Sequence, residues 1–202
     1  MTEAVRYPLE RLYADQDRDW VVDAVPYVLA WVSQPSLAAA RQPVVFDVAW
    51  KATTAQRRLE RVSLSLTWDL TALAAEDAGL TARVERLRAR RTVDREAVTR
   101  NAAEGLALVA VSVFLPGRRV VHMNVFSSPD LVLDAVTPGA LRGVEVAGIT
   151  RGGPKALSGL RAGTASKPGK RAELLARPDI AEVHLSLWGG ASCVAEMYKI
   201  KP

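Results

Sequence analysis

The chain has 202 residues, of which 49% are hydrophobic and 24% charged, and its formal net charge is +5 at pH 7. This composition is typical of a folded globular protein and excludes a disordered tail protein, a collagen-like chain and a low-complexity linker. Its single cysteine, Cys193, excludes an intramolecular disulfide framework and a cysteine-rich structural zinc site.

The N-terminal residues have no apolar core of the kind that a secretory signal needs. No uninterrupted apolar run reaches the ~18 residues of a membrane span. We therefore expect a cytoplasmic protein that does not associate with membranes.

The first half of the sequence predicts helices around a β-hairpin. Residues 17–25 favour a helix that Pro26 ends or kinks, because proline lacks the N–H of the helical hydrogen bond. Residues 43–50 and 61–68 alternate apolar and polar side chains, as two half-buried strands of an antiparallel hairpin do. Residues 71–91 predict a further helix.

The second half predicts a helix over 94–111, with Asp94 as its N-cap or first-turn acid. Strands are then expected at 119–126, 131–136 and 141–148, followed by a mobile basic loop at 150–169, a helix at 170–177, and strands at 180–188 and 194–200. This order indicates an α/β (α+β) fold with a mixed central sheet flanked by helices. We place a boundary between an N-terminal helix and hairpin region, residues 1–92, and a C-terminal α/β domain, residues 93–202.

Two carboxylates stand out in the C-terminal half. Asp130 follows Pro129 at the break before one predicted strand, and Glu145 comes after fourteen intervening residues, inside the next strand. Adjacent strands can bring two such side chains together, and carboxylate oxygens are the ligands that Mg²⁺ prefers. Glu145 shares its face of the strand with the small residues Gly143 and Ala147, which allows close approach of a ligand or another backbone. The pattern predicts a site for metal-assisted phosphodiester chemistry.

Residues 94–200 resemble the PD-(D/E)XK, or restriction-endonuclease-like, nuclease superfamily. The resemblance rests on Pro129-Asp130, on Glu145 in a following strand, and on the order helix, three strands, helix, strand. It implies a Mg²⁺- or Mn²⁺-dependent hydrolase that cleaves DNA, with Asp130 and Glu145 as metal ligands. Glu104, in the preceding helix, matches the place of a further acid and is expected to be an outer or third ligand.

The sequence departs from this family at one position. The family has a lysine two residues after the second acid, and this chain has Ala147 there. Some members recruit the lysine from the next helix, which makes Lys170 the first candidate for the catalytic lysine, followed by Lys155 and Lys167.

A basic segment follows the third of these strands. No acid occurs between Val146 and Ala172. Cationic side chains in such a segment can contact the phosphates of a nucleic acid. Those expected to do so are Arg151, Arg161, Lys167 and Arg171.

Other interpretations remain open. Asp130 can be a turn-opening residue, and Glu145 and Glu104 can be surface acids. A chain without the in-strand lysine can be a non-catalytic module that forms a homo-oligomer or binds a protein partner through the 43–70 hairpin. It can also be a basic nucleic-acid-binding protein without catalysis. Two further interpretations concern the histidines and the cysteine. One is a zinc site of His122, His184 and Cys193, and the other is a Cys193 nucleophile with His184 as its base.

Overall fold

The structure is a computed structural model that describes residues 3–32, 41–56, 58–89, 93–124, 128–164 and 166–202, with the side chain of Lys167 outside the description. The strands of the main sheet are β1 (Glu3–Pro8), β2 (Val44–Lys51), β3 (Glu60–Thr67), β4 (Val120–Met123), β5 (Leu131–Leu133), β6 (Leu141–Ile149), β9 (Ile180–Gly189) and β10 (Val194–Lys201), and β7 (Gly163–Thr164) and β8 (Lys167–Pro168) form a small ribbon. The helices are α1 (Leu12–Asp15), α2 (Arg18–Val32), α3 (Leu70–Glu76), α4 (Leu80–Arg88), α5 (Arg95–Phe114), α6 (Pro154–Ala162) and α7 (Lys170–Leu175).

The main sheet has the strand order β1-β3-β2-β10-β9-β6-β5-β4. The strands β4, β5 and β6 form an antiparallel meander, and β6 then pairs with β9 in parallel. At the other end, β2 and β3 form the expected antiparallel hairpin, with β1 parallel to β3. The predicted mixed α/β fold is thereby confirmed.

Two hydrophobic cores cover the two faces of the sheet. The larger contains α2, α4 and α5 and takes Val144 and Val146 from β6. The smaller contains residues of α6 and α7, such as Leu157 and Leu174, and takes side chains of β9 and β10. Because side chains alternate along a strand, Glu145 projects from β6 toward the face that α6 and α7 cover.

The prediction that the first helix reaches only about Val25 is wrong, because α2 continues through Pro26 to Val32. Proline removes the N–H that would otherwise bind the carbonyl of Val22, four residues earlier. Arg83, on α4, donates to that carbonyl at 3.3 Å. A long-range partner that the local pattern does not show therefore satisfies the freed acceptor.

The predicted helix over 71–91 is two helices, α3 and α4. Asp77 separates them by accepting hydrogen bonds from following backbone amides, Gly79 N–H through its side chain and Leu80 N–H through its carbonyl. The last residues of that prediction, 90 and 91, lie outside the described residues. Asp94 is confirmed as the N-cap of α5, since its side chain accepts from Ala97 N–H at 2.7 Å.

The predicted mobile loop at 150–169 is also corrected. It contains α6, which begins with Pro154 directly after its N-cap Gly153. Proline suits the first helical position, and the fully buried Leu157 anchors the helix to the smaller core. The sequence pattern did not predict this helix, because the segment is rich in glycine and glycine lowers helix propensity.

Strands from both sides of the predicted 92/93 boundary lie in the same sheet. β10, from the C-terminal region, pairs in parallel with β2, from the N-terminal region. The larger core also contains residues from both regions, including Phe46 and Trp188, whose rings meet edge to face. The division into two regions stays a prediction about chain organisation.

One described helix, α5, is long and apolar enough by length and composition to cross a membrane. However, 61% of its most apolar 18-residue window is buried inside the protein. It packs against α2 and β6, as the core helix of a globular fold does.

Candidate active site

The backbone before β5 is held tightly against β6, and this fixes the position of Asp130. A Cβ at Gly143 would come within 2.4 Å of the Leu131 carbonyl oxygen and of the Pro129 ring. Glycine is therefore required at this point of β6. The close approach expected beside Glu145 is made by another segment of backbone.

Both the side chain and the backbone carbonyl of Asp130 accept hydrogen bonds. Its Oδ2 accepts from the backbone N–H of Val146 at 2.6 Å, and its carbonyl accepts from Asn124 N–H at 2.7 Å. The Asn124 side chain also donates to the Pro129 carbonyl at 2.7 Å. The carboxylate therefore lies against β6 beside Glu145, and the turn-opening interpretation does not account for this contact.

Glu145 is almost fully buried, with 3% of its side chain exposed, and both of its carboxylate oxygens have partners. Oε1 accepts from the ammonium of Lys170, at the start of α7. Oε2 accepts from the Ser128 hydroxyl at 2.6 Å. Burying a carboxylate demands such compensation, so the interpretation of Glu145 as a surface acid is wrong.

Lys170 is the candidate lysine that the structure brings to Glu145. The position two residues after Glu145, Ala147, packs against the smaller core instead. Lys170 approaches the carboxylate from the helix that covers this face of β6. Lys155, the next candidate, is exposed in the first turn of α6, and the side chain of Lys167 lies outside the described residues.

The electrostatics of the cluster are dominated by burial and by the proximity of like charges. Burial, followed by the charge of Glu145, raises the pKa of Asp130 from 3.8 to about 7. The Val146 N–H and the charge of Lys170 act in the opposite direction but do not outweigh them. Burial lowers the pKa of Lys170, but the hydrogen bond and charge of Glu145 outweigh it, so the net shift is upward.

Glu104 lies on α5 and is half-buried. Burial raises its pKa, and its charge is the weakest of the influences that raise the pKa of Asp130. Within the described ranges, no three His, Cys, Asp or Glu side chains are grouped so that they could hold a metal ion. Glu104 is thus a neighbour of the cluster, and its role as a third ligand stays a prediction.

The basic residues predicted to bind phosphate are not equivalent. Arg161 forms an ion pair with Glu196 at 3.2 Å and lies over the Tyr198 ring, 4.7 Å from its centroid. Arg151 and Arg171 are exposed. Arg161 therefore already has partners within the fold. Among the described residues of the predicted set, Arg151 and Arg171 are the ones free to contact a ligand.

The two histidines and the cysteine are not brought together. His184 is buried and bonded to Glu182 at 3.1 Å, and it pairs across the sheet with Lys199. Cys193 precedes the first residue of β10, several residues from that pair. His122 packs edge to face on Trp20. The zinc site and the Cys193–His184 pair are not formed.

The hairpin proposed as a partner surface is covered within the fold. Its apolar face is part of the larger core, where Val62, Leu64, Leu66 and Trp68 are all buried. β1 and β10 also pair with its two outer edges. Of its large apolar side chains, Val45 and Leu59 are exposed, and an assembly role for the 43–70 hairpin stays a prediction.

Sequence reasoning missed two polar residues of the site, Ser128 and Asn124. Both lie in the segment around the break before β5, where a pattern of strands gives no pairing information. The one available signal was the serine beside Pro129-Asp130, since short polar residues at a turn often bond to neighbouring groups.

Comparisons with protein-family models, with curated proteins and with solved structures give no match to this chain. The site is therefore interpreted from its own geometry.

Proposed function

We propose that this protein is a magnesium-dependent nuclease that cleaves phosphodiester bonds of DNA. The observation that supports it best is the convergence of Asp130, Glu145 and Lys170 on one side of β6. These are the two acids and the lysine that the resemblance requires, with the lysine supplied by α7. An ordinary packing cluster has no need to place two acids side by side where they raise the pKa of one of them.

The donor set suits a hard divalent cation. The charges of Glu145 and Glu104 both raise the pKa of Asp130, and Lys170 is the cation that contacts Glu145 directly. A divalent cation would offset the excess negative charge and would favour the ionised form of Asp130. Asp130 and Glu145 are the residues that would hold it, since oxygen ligands suit Mg²⁺.

When bound, a metal of this class supplies Lewis-acid stabilisation of phosphoryl charge. The residues of the chain supply position and charge. The Val146 N–H and the Asn124 side chain orient the segment that carries Asp130. Ser128 orients Glu145, and Lys170 places a positive charge where a phosphate would carry developing negative charge.

The direct test is incubation of the protein with supercoiled and linear DNA in Mg²⁺, Mn²⁺ or EDTA. We expect cleavage that requires the metal and falls by at least about a hundredfold in Asp130→Asn, Glu145→Gln and Lys170→Met. Arg86→Met, at an exposed position of α4, is the control for loss of a cation and should cleave as wild type does. Cleavage that survives in Glu145→Gln would contradict the proposal.

A second candidate is a non-catalytic module that keeps the same fold. One observation favours it: both oxygens of Glu145 are already engaged, by Lys170 and Ser128. In that case the cluster acts as a buried ion pair. No cleavage with either metal, together with no saturable Mn²⁺ binding by calorimetry, would favour this candidate over the nuclease. Steeply salt-dependent DNA affinity in that protein would identify a nucleic-acid-binding module.

A further inference from the structure

The face of the sheet toward which Glu145 projects is covered along only part of its width. Helices α6 and α7 pack on β9 and β10, and the smaller core includes no described residue of β1, β2 or β3. Strand alternation places a set of accessible polar side chains on the uncovered part of this face. They are Arg6, Asp47, Lys51, Arg61, Ser63 and Ser65. The polar face of the hairpin is therefore open to a partner beside the candidate active site.

One row of residues runs across the sheet from this open part to Glu145. Lys51 of β2 pairs with Tyr198 of β10, which pairs with Leu185 of β9. Leu185 in turn pairs with Glu145 of β6. Neighbouring strands lie roughly 4.8 Å apart, so three spacings place the backbone of Lys51 about 14 Å from that of Glu145. Lys51 follows Trp50, which belongs to the larger core, so the lysine projects to the same face as Glu145.

A cavity of about 240 Å³ lies at the Lys51 end of this row. Its walls include Lys51, Arg161, Arg171 and Tyr198, and its described lining contains no carboxylate. The volume is smaller than the roughly 300–1,000 Å³ of small-molecule sites. A single phosphate group suits this size better than a whole small-molecule ligand does.

The cations of this cavity differ in whether they already have partners. Arg161 and Lys199 each form an ion pair with a carboxylate at 3.2 Å. Lys51 and Arg171 have no ion-pair or hydrogen-bond partner among the described residues. Lys51 is half-buried and Arg171 is exposed, so both are accessible from solvent. Two accessible cations without partners favour an anion at this place, and the planar fork of an arginine matches phosphate oxygens.

Helix α7 provides a cation to each end of the row. Lys170 contacts Glu145, and the next residue, Arg171, lines the cavity. Successive residues of a helix project about 100° apart, so the two neighbours reach different places. A free nucleotide is too short to span about 14 Å, whereas a strand of a duplex advances about 3.4 Å per nucleotide and covers it in about four steps.

We propose that Lys51 and Arg171 bind a backbone phosphate of a DNA strand about four nucleotides from the bond that is cleaved. The position of that bond rests on the proposed nuclease function, whereas the phosphate contact is a binding property that needs no cleavage. The substrate is then a polynucleotide rather than a free nucleotide, and the N-terminal region of the chain contributes directly to its binding.

Fluorescence anisotropy with a labelled duplex of about sixteen base pairs, in EDTA and over a range of salt, tests the contact. Each phosphate contact contributes about 0.9 to the slope of log affinity against log salt. We expect Lys51→Met and Arg171→Met each to lower that slope by about one and to weaken DNA at least about threefold. Unchanged slope and affinity in both variants, or no DNA binding by wild type, would overturn the proposal.

Arg86→Met is the matched control for Arg171→Met. Arg86 is an exposed arginine of α4, the helix that packs in the larger core on the other face of the sheet, so this variant should bind DNA as wild type does. Because Lys51 and Arg171 lack partners among the described residues, their variants should keep the thermal midpoint of wild type. Equal weakening of DNA by Arg86→Met would reduce the effect to net charge and overturn the assignment.

Cleavage kinetics separate this inference from the proposed function. In Lys51→Met, KM for DNA should rise by about the factor that affinity falls while kcat stays within about twofold, since the contact is remote from the reacting atoms. Glu145→Gln should lose kcat and keep its DNA affinity within about twofold. Normal KM and DNA affinity in Lys51→Met would refute the phosphate contact and leave the nuclease standing. Lys51-dependent DNA binding without cleavage by wild type would refute the nuclease and support the contact.

Competition in the anisotropy assay identifies the anion. The competitors are unlabelled duplex, pyrophosphate and a hexaglutamate peptide. We expect the last two to displace the labelled duplex at least about tenfold less effectively than unlabelled duplex does, because neither presents phosphates along the whole row. Equal displacement by pyrophosphate would assign the cavity to free phosphate, and equal displacement by the peptide would assign the surface to an acidic protein. Either result would overturn the proposal.

Discussion

Lys170 and Arg88 are both cations that reach into the protein, and the structure surrounds them differently. Lys170 meets a buried carboxylate, Glu145, which in turn is bonded to Ser128. Arg88 is more deeply buried and has no hydrogen-bond partner among the described residues. The comparison teaches that burial alone does not define a function. Lys170 forms a hydrogen-bonded ion pair with a buried carboxylate, whereas Arg88 has, among the described residues, only a 3.6 Å contact with the exposed carboxylate of Glu85.

The largest expected effect is a difference in the free energy of unfolding between the variants that lose Lys170 and Arg88. Lys170→Met leaves Glu145 buried without its main partner and should lower the free energy of unfolding by about 2–3 kcal/mol, a value reduced because Lys170 is itself 36% exposed. Arg88→Met removes a charge whose one ion-pair contact among the described residues is 3.6 Å long and reaches a largely exposed carboxylate, so it should be nearly neutral. Urea unfolding of both variants measures the difference.

A double substitution sharpens this first comparison. Lys170→Met combined with Glu145→Gln removes both charges, so it should recover most of the stability that Lys170→Met loses. If the single Lys170→Met variant is as stable as wild type, then the ion pair contributes nothing and the contrast between the two sites fails.

The next effect is a pH dependence of stability, which arises from Asp130 in the cluster with Glu145 and Lys170. Burial and the charge of Glu145 raise the pKa of Asp130 from 3.8 to about 7. The folded protein holds this proton more tightly than the unfolded chain, so stability falls as pH rises from about 4 through about 7 and is level above that. Asp130→Asn removes this loss, and at pH 8 it should be more stable than wild type by about 2 kcal/mol, allowing for partial exposure.

Unfolding of wild type and Asp130→Asn between pH 4 and pH 8 checks this prediction. The two proteins should converge toward pH 4, where the carboxyl is protonated in both states. Asp23→Asn, at an exposed position of α2, is the matched control and should follow the wild-type curve. A stability difference that is constant across the whole range would contradict the raised pKa.

The sequence predicted the candidate site better than it predicted the surroundings of Arg88. Asp130 and Glu145 were identified because adjacent strands bring two carboxylates together at a predictable edge. Lys170 was identified through the resemblance, in which the lysine can come from the next helix. The strand alternation also placed Glu145 beside Gly143 on the correct face. Local patterns contain this information because strand pairing and side-chain alternation follow simple periods.

Arg88 could not be found in the same way. Arg88 is one of several arginines in α4, and the periodicity of this helix does not reveal that its guanidinium is buried. Pro26 and α6 were missed for a related reason, since Arg83 and the buried Leu157 stabilise them through contacts distant in sequence.

The smallest expected effect concerns Glu104 and decides where the paired cluster ends. Its charge is the weakest influence that raises the pKa of Asp130, and the described residues contain no three-acid group arranged to hold a metal. Glu104→Gln should therefore lower the pKa of Asp130 slightly and change Mn²⁺ affinity by less than about threefold. Loss of a true ligand or of its direct support costs about 10- to 100-fold.

Carbon-detected NMR titration of the Asp130 carboxyl and calorimetric Mn²⁺ titration separate these two effects. A small downward shift with nearly unchanged metal affinity would make Glu104 an electrostatic neighbour across the sheet edge. A loss of metal affinity as large as that of Asp130→Asn would instead make it the third ligand that the resemblance implies. The contrast with Arg88 would then widen, because all three acids near β6 would have a partner or a metal, whereas the Arg88 guanidinium has, among the described residues, only its 3.6 Å contact with Glu85.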